Sequence, residues 1–159
     1  MLFAEQNQED FAQLNAGADG SCSAFVRSNV NPNSGFVTNY LNHYVELFLL
    51  FDMLPQFPEF ADEIKTWKPM AYVDHVRQSG LKDVDIILEF YEKSDPARKA
   101  ELNQAIAEAD AKVASLVERM CAQLDHDRGI GLVDFCTEAK ETGEHLVSRI
   151  NCVIQADQK

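Results

Sequence analysis

Apolar residues that recur at alternating steps of four and three over residues 96–124 constrain the fold of this chain more than any other feature. The spacing averages 3.5 residues, which is typical of an α-helix that buries one face along its whole length. Asp95 can cap this helix, and Pro96 fits its first position because the missing N–H has no intrahelical partner there. A helix of this length measures roughly 40 Å. Its apolar positions are Leu102, Ile106, Ala109, Val113, Leu116 and Met120.

A second periodic run follows a short interruption that contains Gly129 and Gly131. Two long amphipathic helices joined by a short loop bury their apolar faces by folding back on each other. The sequence therefore predicts an antiparallel helical hairpin over residues 96–156. The second helix of the hairpin carries apolar side chains at Leu132, Phe135, Ala139, Leu146, Ile150 and Val153.

Upstream of the hairpin, proline and glycine divide the chain into shorter segments with helical spacing. A helix is predicted over residues 36–54. Beyond Tyr44 its residues are apolar nearly all round, which is typical of a central, buried helix. Three shorter helices are expected over residues 58–67, 70–79 and 82–93, because prolines precede or end the first two and Gly80 can cap the second.

The first fifteen residues suggest one more helix, whereas residues 16–35 are rich in glycine, serine and asparagine and predict an irregular loop. No segment shows the period-two alternation of a half-buried strand. We therefore expect residues 1–159 to form a single all-α domain. Its predicted architecture is an up-and-down helical bundle built around the long C-terminal antiparallel hairpin.

The charge of the chain excludes several classes of function. Its 159 residues include 14 lysines and arginines against 26 aspartates and glutamates, a net charge of −12. A charge of this sign repels nucleic acid and anionic membranes. The longest apolar run is too short to span a bilayer, the amino terminus lacks the basic start of a signal peptide, and the four cysteines are too widely spaced for a zinc site. These features predict an acidic, cytoplasmic protein that binds neither nucleic acid nor membranes.

His75 is the most prominent candidate for chemistry. The segment from Asp74 to Gly80 resembles the phosphoacceptor segment of histidine phosphotransfer domains, which are helical bundles of comparable size. In that family a lysine follows the histidine at the third position, whereas here Gln78 stands there and Arg77 supplies the positive charge. The resemblance implies that His75 accepts a phosphoryl group, with cationic or amide donors stabilising the incoming charge. An ordinary amphipathic helix explains the same residues.

Two histidine–carboxylate pairs are candidates for a site that binds a metal or a small ligand. His43 and Glu46 are three residues apart and Glu141 and His145 are four apart, so each pair shares one helix face. Neither the Glu-x-x-His pattern of di-iron bundles nor a zinc-type HExxH motif is present. Solvated polar faces of amphipathic helices account for both pairs, and we predict no metal or cofactor.

The sequence contains no motif of nucleophilic catalysis and no glycine-rich phosphate loop in the required context. Aromatic and methionine side chains concentrate in one proline-punctuated region, and such side chains dominate protein–protein interfaces. We therefore predict a non-enzymatic interaction or regulatory protein that binds a protein partner and can form a homodimer through its helical seams. Histidine phosphotransfer and ligand binding stay open as alternatives. The candidate partner surface consists of Phe57, Phe60, Trp67, Met70 and Tyr72.

Overall fold

The computed structural model describes residues 29–126 and 130–156 and confirms that this part of the chain is all-helical. The described residues form six α-helices and one 3-10 helix, and no strand occurs among them. The predicted helix in the first fifteen residues, and most of the predicted loop, lie outside the described residues. The 3-10 helix is Thr38–Leu41, and the α-helices are α1 (Asn42–Met53), α2 (Phe60–Thr66), α3 (Tyr72–Gln78), α4 (Val84–Lys93), α5 (Pro96–His126) and α6 (Leu132–Gln155).

The two longest helices begin where the sequence predicts. α5 starts at Pro96, and the Asp95 carboxylate accepts the backbone N–H of Ala97 at 2.8 Å. α6 follows Gly131, whose φ of +79° is a backbone conformation that glycine adopts without strain. The three short helices each begin two residues later than predicted, within the usual uncertainty of helix ends.

α6 is the element around which the described core forms, because α1 and α5 both pack along it. The apolar seam predicted on α5 is buried at all six positions, and the seam on α6 is buried at every position except Val153. α1 adds Tyr44, Leu47 and Phe51 to the same core. Burial of this kind contributes about 25 cal/mol for each Å² of apolar surface removed from water.

Two exposed ion pairs connect α5 with α6. The Arg119 guanidinium donates to both carboxylate oxygens of Glu138, at 2.8 and 2.7 Å. The Arg149 Nε lies 3.1 Å from the Glu108 Oε2. Solvent screens these exposed pairs, so they add little stability. They show instead which residues of the two helices face each other.

The start of the described chain is tied to the end of α6. The Asn31 Oδ1 accepts the backbone N–H groups of Asn33 and Ser34, which forms a local turn. The Asn31 Nδ2 donates to the Gln155 Oε1 at 3.0 Å, and the Ser34 hydroxyl donates to the Ile154 carbonyl. These bonds hold the residues before α1 against the last turn of α6.

The expectation that the helix over residues 36–54 is buried on all sides is wrong for the outward face of α1. Val45, Leu49 and Met53 are 38, 56 and 40 % exposed. The reason is that α6 and α2 pack against two sides of α1 and leave the third side in solvent. Within the described ranges, no helix is long and apolar enough to cross a membrane.

Candidate functional site

Two histidines and three large aromatic residues form a compact group between α1, α3 and the segment that joins α2 to α3. The His43 ring stacks on the Trp67 ring, with centroids 4.7 Å apart and planes inclined by 25°. The Trp67 Nε1 also donates to the His43 carbonyl at 3.1 Å. The His75 ring reaches this group from α3, with its centroid 5.9 Å from that of His43. We call this group the histidine cluster; its members are His43, His75, Trp67, Tyr40 and Tyr44.

The histidine cluster contains two buried polar atoms without a partner. The His43 Nε2 and the His75 Nδ1 are shielded from solvent, and neither makes a hydrogen bond with any residue in the described ranges. A buried polar atom left without a partner costs about 1–3 kcal/mol. Buried polar atoms without a partner are uncommon in native folds. The cost of burying these two imidazoles is therefore not explained by the packing of the core, which apolar side chains would fill without it.

Both imidazoles are held in their neutral form. The pKa of His43 is lowered to about 4, first by burial and then by the neighbouring His75, while a backbone hydrogen bond with Lys68 acts in the opposite direction. Burial also lowers the pKa of His75, against the attraction of the Glu46 carboxylate. Because a buried charge is poorly solvated, protonation of either ring is disfavoured near neutral pH.

The two tyrosines of the cluster connect the 3-10 helix and α1 to neighbouring parts of the chain. The Tyr44 hydroxyl donates to the Asp110 Oδ1 of α5 at 2.6 Å, and the Tyr40 hydroxyl donates to the Met70 carbonyl at 2.8 Å. Burial raises the pKa of Tyr40 to about 12 and raises the pKa of Tyr44 further still. Burial raises the pKa of Asp110 as well, although the hydrogen bond from Tyr44 opposes that shift. Both phenols therefore stay protonated near neutral pH and act as hydrogen-bond donors.

The structure brings together His43 and His75, a pair that the sequence analysis did not connect. Glu46, the predicted partner of His43, is exposed, and so are Glu141 and His145 on α6. Among the residues that the structure describes, no group of three or more histidine, cysteine or carboxylate side chains is placed to hold a metal ion. Binding of a metal or small ligand at either pair stays an untested alternative, and elemental analysis of the purified protein tests the metal.

The proposed phosphoacceptor is half-buried. The His75 ring contacts the Tyr40 ring edge-on at 5.3 Å between centroids. Arg77, expected to stabilise an incoming phosphoryl group, is exposed and lies 3.6 Å from the Asp74 carboxylate on the same helix. Phosphotransfer through His75 stays a prediction; acid-labile phosphate that is lost in His75→Gln would support it.

The predicted aromatic partner surface is divided between surface and core. Phe57 is 43 % exposed and packs against Phe60, with ring centroids 5.8 Å apart. Trp67 and Met70 are half-buried. Tyr72 is only 2 % exposed, because its hydroxyl accepts the backbone N–H of Val37 and its ring lies in the core. Tyr72 therefore belongs to the core, and the five residues do not form one open surface.

A different apolar surface runs along the outward face of α1. Six large apolar side chains are clearly exposed within the described part of the chain, and four of them occur at steps of four residues on or just beyond this helix. A fifth, Val133, lies at the start of α6. The sequence already indicated this row, since apolar residues at steps of four lie on one face of a helix. The four residues are Val45, Leu49, Met53 and Phe57.

The outward face of α1 forms one wall of a groove of about 250 Å³ whose other wall is α6. At its floor, the Phe48 ring lies directly on Gly143, where a Cβ atom would come within 2.4 Å of the ring. Asp52 and Lys140 form an ion pair across the groove at 3.6 Å. We call this feature the apolar groove; it is lined by Val45, Phe48, Leu49, Asp52, Lys140, Gly143, Glu144 and Val147.

α1 thus carries the histidine cluster on its inner side and the apolar groove on its outer side. Neither feature is known from a relative: comparisons of the chain with protein-family models, with curated proteins and with solved structures found no match.

Proposed function

We propose that this protein is a non-enzymatic interaction protein and that the apolar groove receives a helical segment of a protein partner. The proposal depends on one observation, the row of exposed apolar residues formed by Val45, Leu49, Met53 and Phe57. Exposed apolar side chains that follow one helix face and border a groove favour a site where another molecule binds. The partner surface proposed here shares only Phe57 with the one predicted from the sequence.

The shape of the groove favours a helix as its occupant. Two helices that pack side by side leave a valley into which the side-chain ridge of a third helix fits. The contact of Phe48 with Gly143 brings α1 and α6 close together, which makes the valley narrow. A helix with apolar residues at positions i, i+4 and i+7 would pack against Val45, Leu49 and Val147.

The histidine cluster supports the same proposal from the inner side of α1. The Tyr44 hydroxyl ties α1 to α5, and the Tyr40 hydroxyl ties the 3-10 helix directly before α1 to the segment before α3. A groove wall that is already fixed loses little freedom when a partner binds, which favours affinity. This use of the hydroxyls also favours a structural role for the tyrosines over a catalytic one.

We infer in addition that α5 and α6 form the antiparallel hairpin of an up-and-down bundle. The two ion pairs support this arrangement. Glu108, in the first half of α5, pairs with Arg149 near the end of α6, whereas Arg119 further along α5 pairs with Glu138 nearer the start of α6. Position numbers thus rise along one helix as they fall along the other.

A photo-crosslinking amino acid at position 49 tests the proposed function in living cells. We expect adducts that join position 49 to one helical segment of another protein, and we expect Val45→Lys to abolish them because a positive charge then replaces an apolar contact in the groove. The same crosslinker at position 111, which is exposed on α5, is the control and should not give these adducts.

Two outcomes would overturn the proposal. An adduct with residues 1–28 of the same chain would mean that the groove is filled from within, and an adduct with a second copy would mean that it is a dimer interface. The homodimer predicted from the sequence stays the alternative. Light scattering of the full chain, with Leu49→Ser as the comparison, checks it.

A further inference from the structure

We infer that the helix received by the apolar groove is basic, with lysine or arginine on the flank that faces α6. The inference deepens the proposed function and depends on it. It adds the chemical class of the partner: an amphipathic helix whose apolar stripe is bordered by positive charge.

The charges of the groove point to this partner. Asp52 and Lys140 neutralise each other across the groove at 3.6 Å. Glu144 also lines the groove and is exposed, but it makes no ion pair or hydrogen bond with any residue that the structure describes. Glu141 is exposed three residues before Glu144, so both carboxylates lie on the same flank of α6. The α6 side of the groove therefore offers negative charge that the described part of the chain leaves unpaired.

The same charges disfavour the two other possible occupants. A second copy of this chain also carries −12, so a symmetric pair would bring like charges together at the interface. Residues 1–28 carry four carboxylates and one arginine, so they too would place negative charge beside Glu144. A basic helix is the occupant whose charge is complementary to this surface.

The length of the exposed apolar row, whose first two residues line the groove, sets the length of the helix. The exposed apolar row begins at Val45 and continues beyond the end of α1 at Met53 to Phe57. Twelve residues of helix span about 18 Å, so a partner segment of about three turns covers the row. Its apolar residues would repeat at steps of three and four, with basic residues directly beside them.

Two fluorescein-labelled helical peptides test the inference. Both carry the same leucine stripe, and the flanking positions are lysine in one and glutamate in the other. We expect the full chain to bind the lysine peptide about tenfold more tightly, and we expect that preference to shrink at high salt because salt screens the exposed charges. Fluorescence anisotropy measures both affinities.

Charge reversal at a single position provides the decisive comparison. Glu144→Lys should lose most of the preference for the lysine peptide. Glu118→Lys is the matched control, because Glu118 is exposed on α5, outside the groove lining, and its reversal changes the net charge by the same amount. An equal effect of both substitutions would mean that only the overall charge matters, and it would overturn the inference.

The failure of this inference can be distinguished from the failure of the proposed function. Leu49→Ser removes an apolar anchor and should weaken both peptides, with Val45→Ser as a second variant. If Leu49→Ser abolishes binding while Glu144→Lys leaves the peptide preference unchanged, the groove is an interaction site but its partner is not basic. If neither Leu49→Ser nor Val45→Ser changes the binding of either peptide, the proposed function is wrong. Circular dichroism establishes that each variant is folded.

Discussion

At the scale of single residues, His43 combines a polar ring with surroundings that solvate it poorly. Its ring is stacked on Trp67, and its buried Nε2 has no hydrogen-bond partner among the residues that the structure describes. Protonation would place a charge in this poorly solvated position, where burial disfavours it most and the nearby His75 adds to the cost. The cost of that charge is what lowers the pKa of His43 from 6.5 to about 4.

We predict that His43 makes the fold sensitive to acid. The unfolded chain takes up a proton at His43 near pH 6.5, whereas the folded chain resists protonation until about pH 4. Lowering the pH through this window therefore favours the unfolded state, and between pH 7 and pH 5 His43 should lower the free energy of unfolding by about 1 kcal/mol, since solvent partly screens this half-buried ring. Urea denaturation of the wild type and of His43→Gln at both pH values measures the difference.

The variant His43→Gln should lose less stability on acidification than the wild type does. His145→Gln is the matched control, because His145 is exposed on α6. His75, Asp110 and the remaining titrating groups are present in each of these proteins. To first order, their contributions to the pH dependence of stability therefore cancel when the proteins are compared. An identical loss in the wild type and in His43→Gln would contradict the prediction.

The sequence did not predict the contact of the two histidines or the burial of Tyr72, because both depend on residues far apart along the chain. His43 and His75 are 32 positions apart and meet only because α3 packs beside the 3-10 helix and the start of α1. Tyr72 was expected on the surface because it belongs to an aromatic-rich segment. Its burial depends on a hydrogen bond from Val37, which no local pattern reveals.

At the scale of elements, α1 approaches α6 closely because the residue of α6 at the contact, Gly143, has no side chain. Phe48 occupies the space above Gly143, and a Cβ atom there would lie 2.4 to 2.7 Å from three atoms of the ring. Glycine is unfavourable within a helix, so its presence in the middle of α6 has a packing reason. The depth of the apolar groove follows from the same contact.

We predict that Gly143→Ala destabilises the fold although alanine is the better helix former. The added methyl group must displace Phe48, and such overpacking costs about 1–3 kcal/mol, more than the helix propensity of alanine returns. Thermal or urea denaturation measures the change. The double variant Phe48→Leu with Gly143→Ala should be less destabilised than the sum of the two single variants, because the smaller side chain makes room. Additive effects would show that the two residues do not compete for space.

Periodicity predicted the long elements and failed on the exposure of α1. The seams of α5 and α6 repeat over many turns and have one polar face each, so both the helices and their buried sides follow from the sequence. α1 is apolar on most sides, and such a helix does not reveal which of its sides has a neighbour. The outward row was therefore missed, and with it the groove.

At the scale of the whole molecule, one face of α1 packs in the core and the opposite face lines the proposed binding groove. Leu47 is 1 % exposed in the core, and Leu49 is 56 % exposed in the groove. We predict that Leu47→Ala lowers the free energy of unfolding by about 3 kcal/mol, whereas Leu49→Ala changes it by less than about 0.5 kcal/mol. Urea denaturation of the two variants provides a matched comparison of the same substitution in the same helix. A large loss in Leu49→Ala would mean that its side chain is part of the core.

The tie between the residues before α1 and the last turn of α6 has a consequence for synthesis on the ribosome. The hydrogen bond from Ser34 to Ile154 joins positions 120 residues apart, and α1 lacks its main packing surface until α6 has been translated. α5 and α6 are adjacent in sequence and can pair with little loss of chain entropy, whereas α1 must dock across a long separation. A ribosome that stalls before α6 would therefore expose both the inner and the outer apolar faces of α1, and such nascent chains should be recognised by chaperones that bind apolar segments.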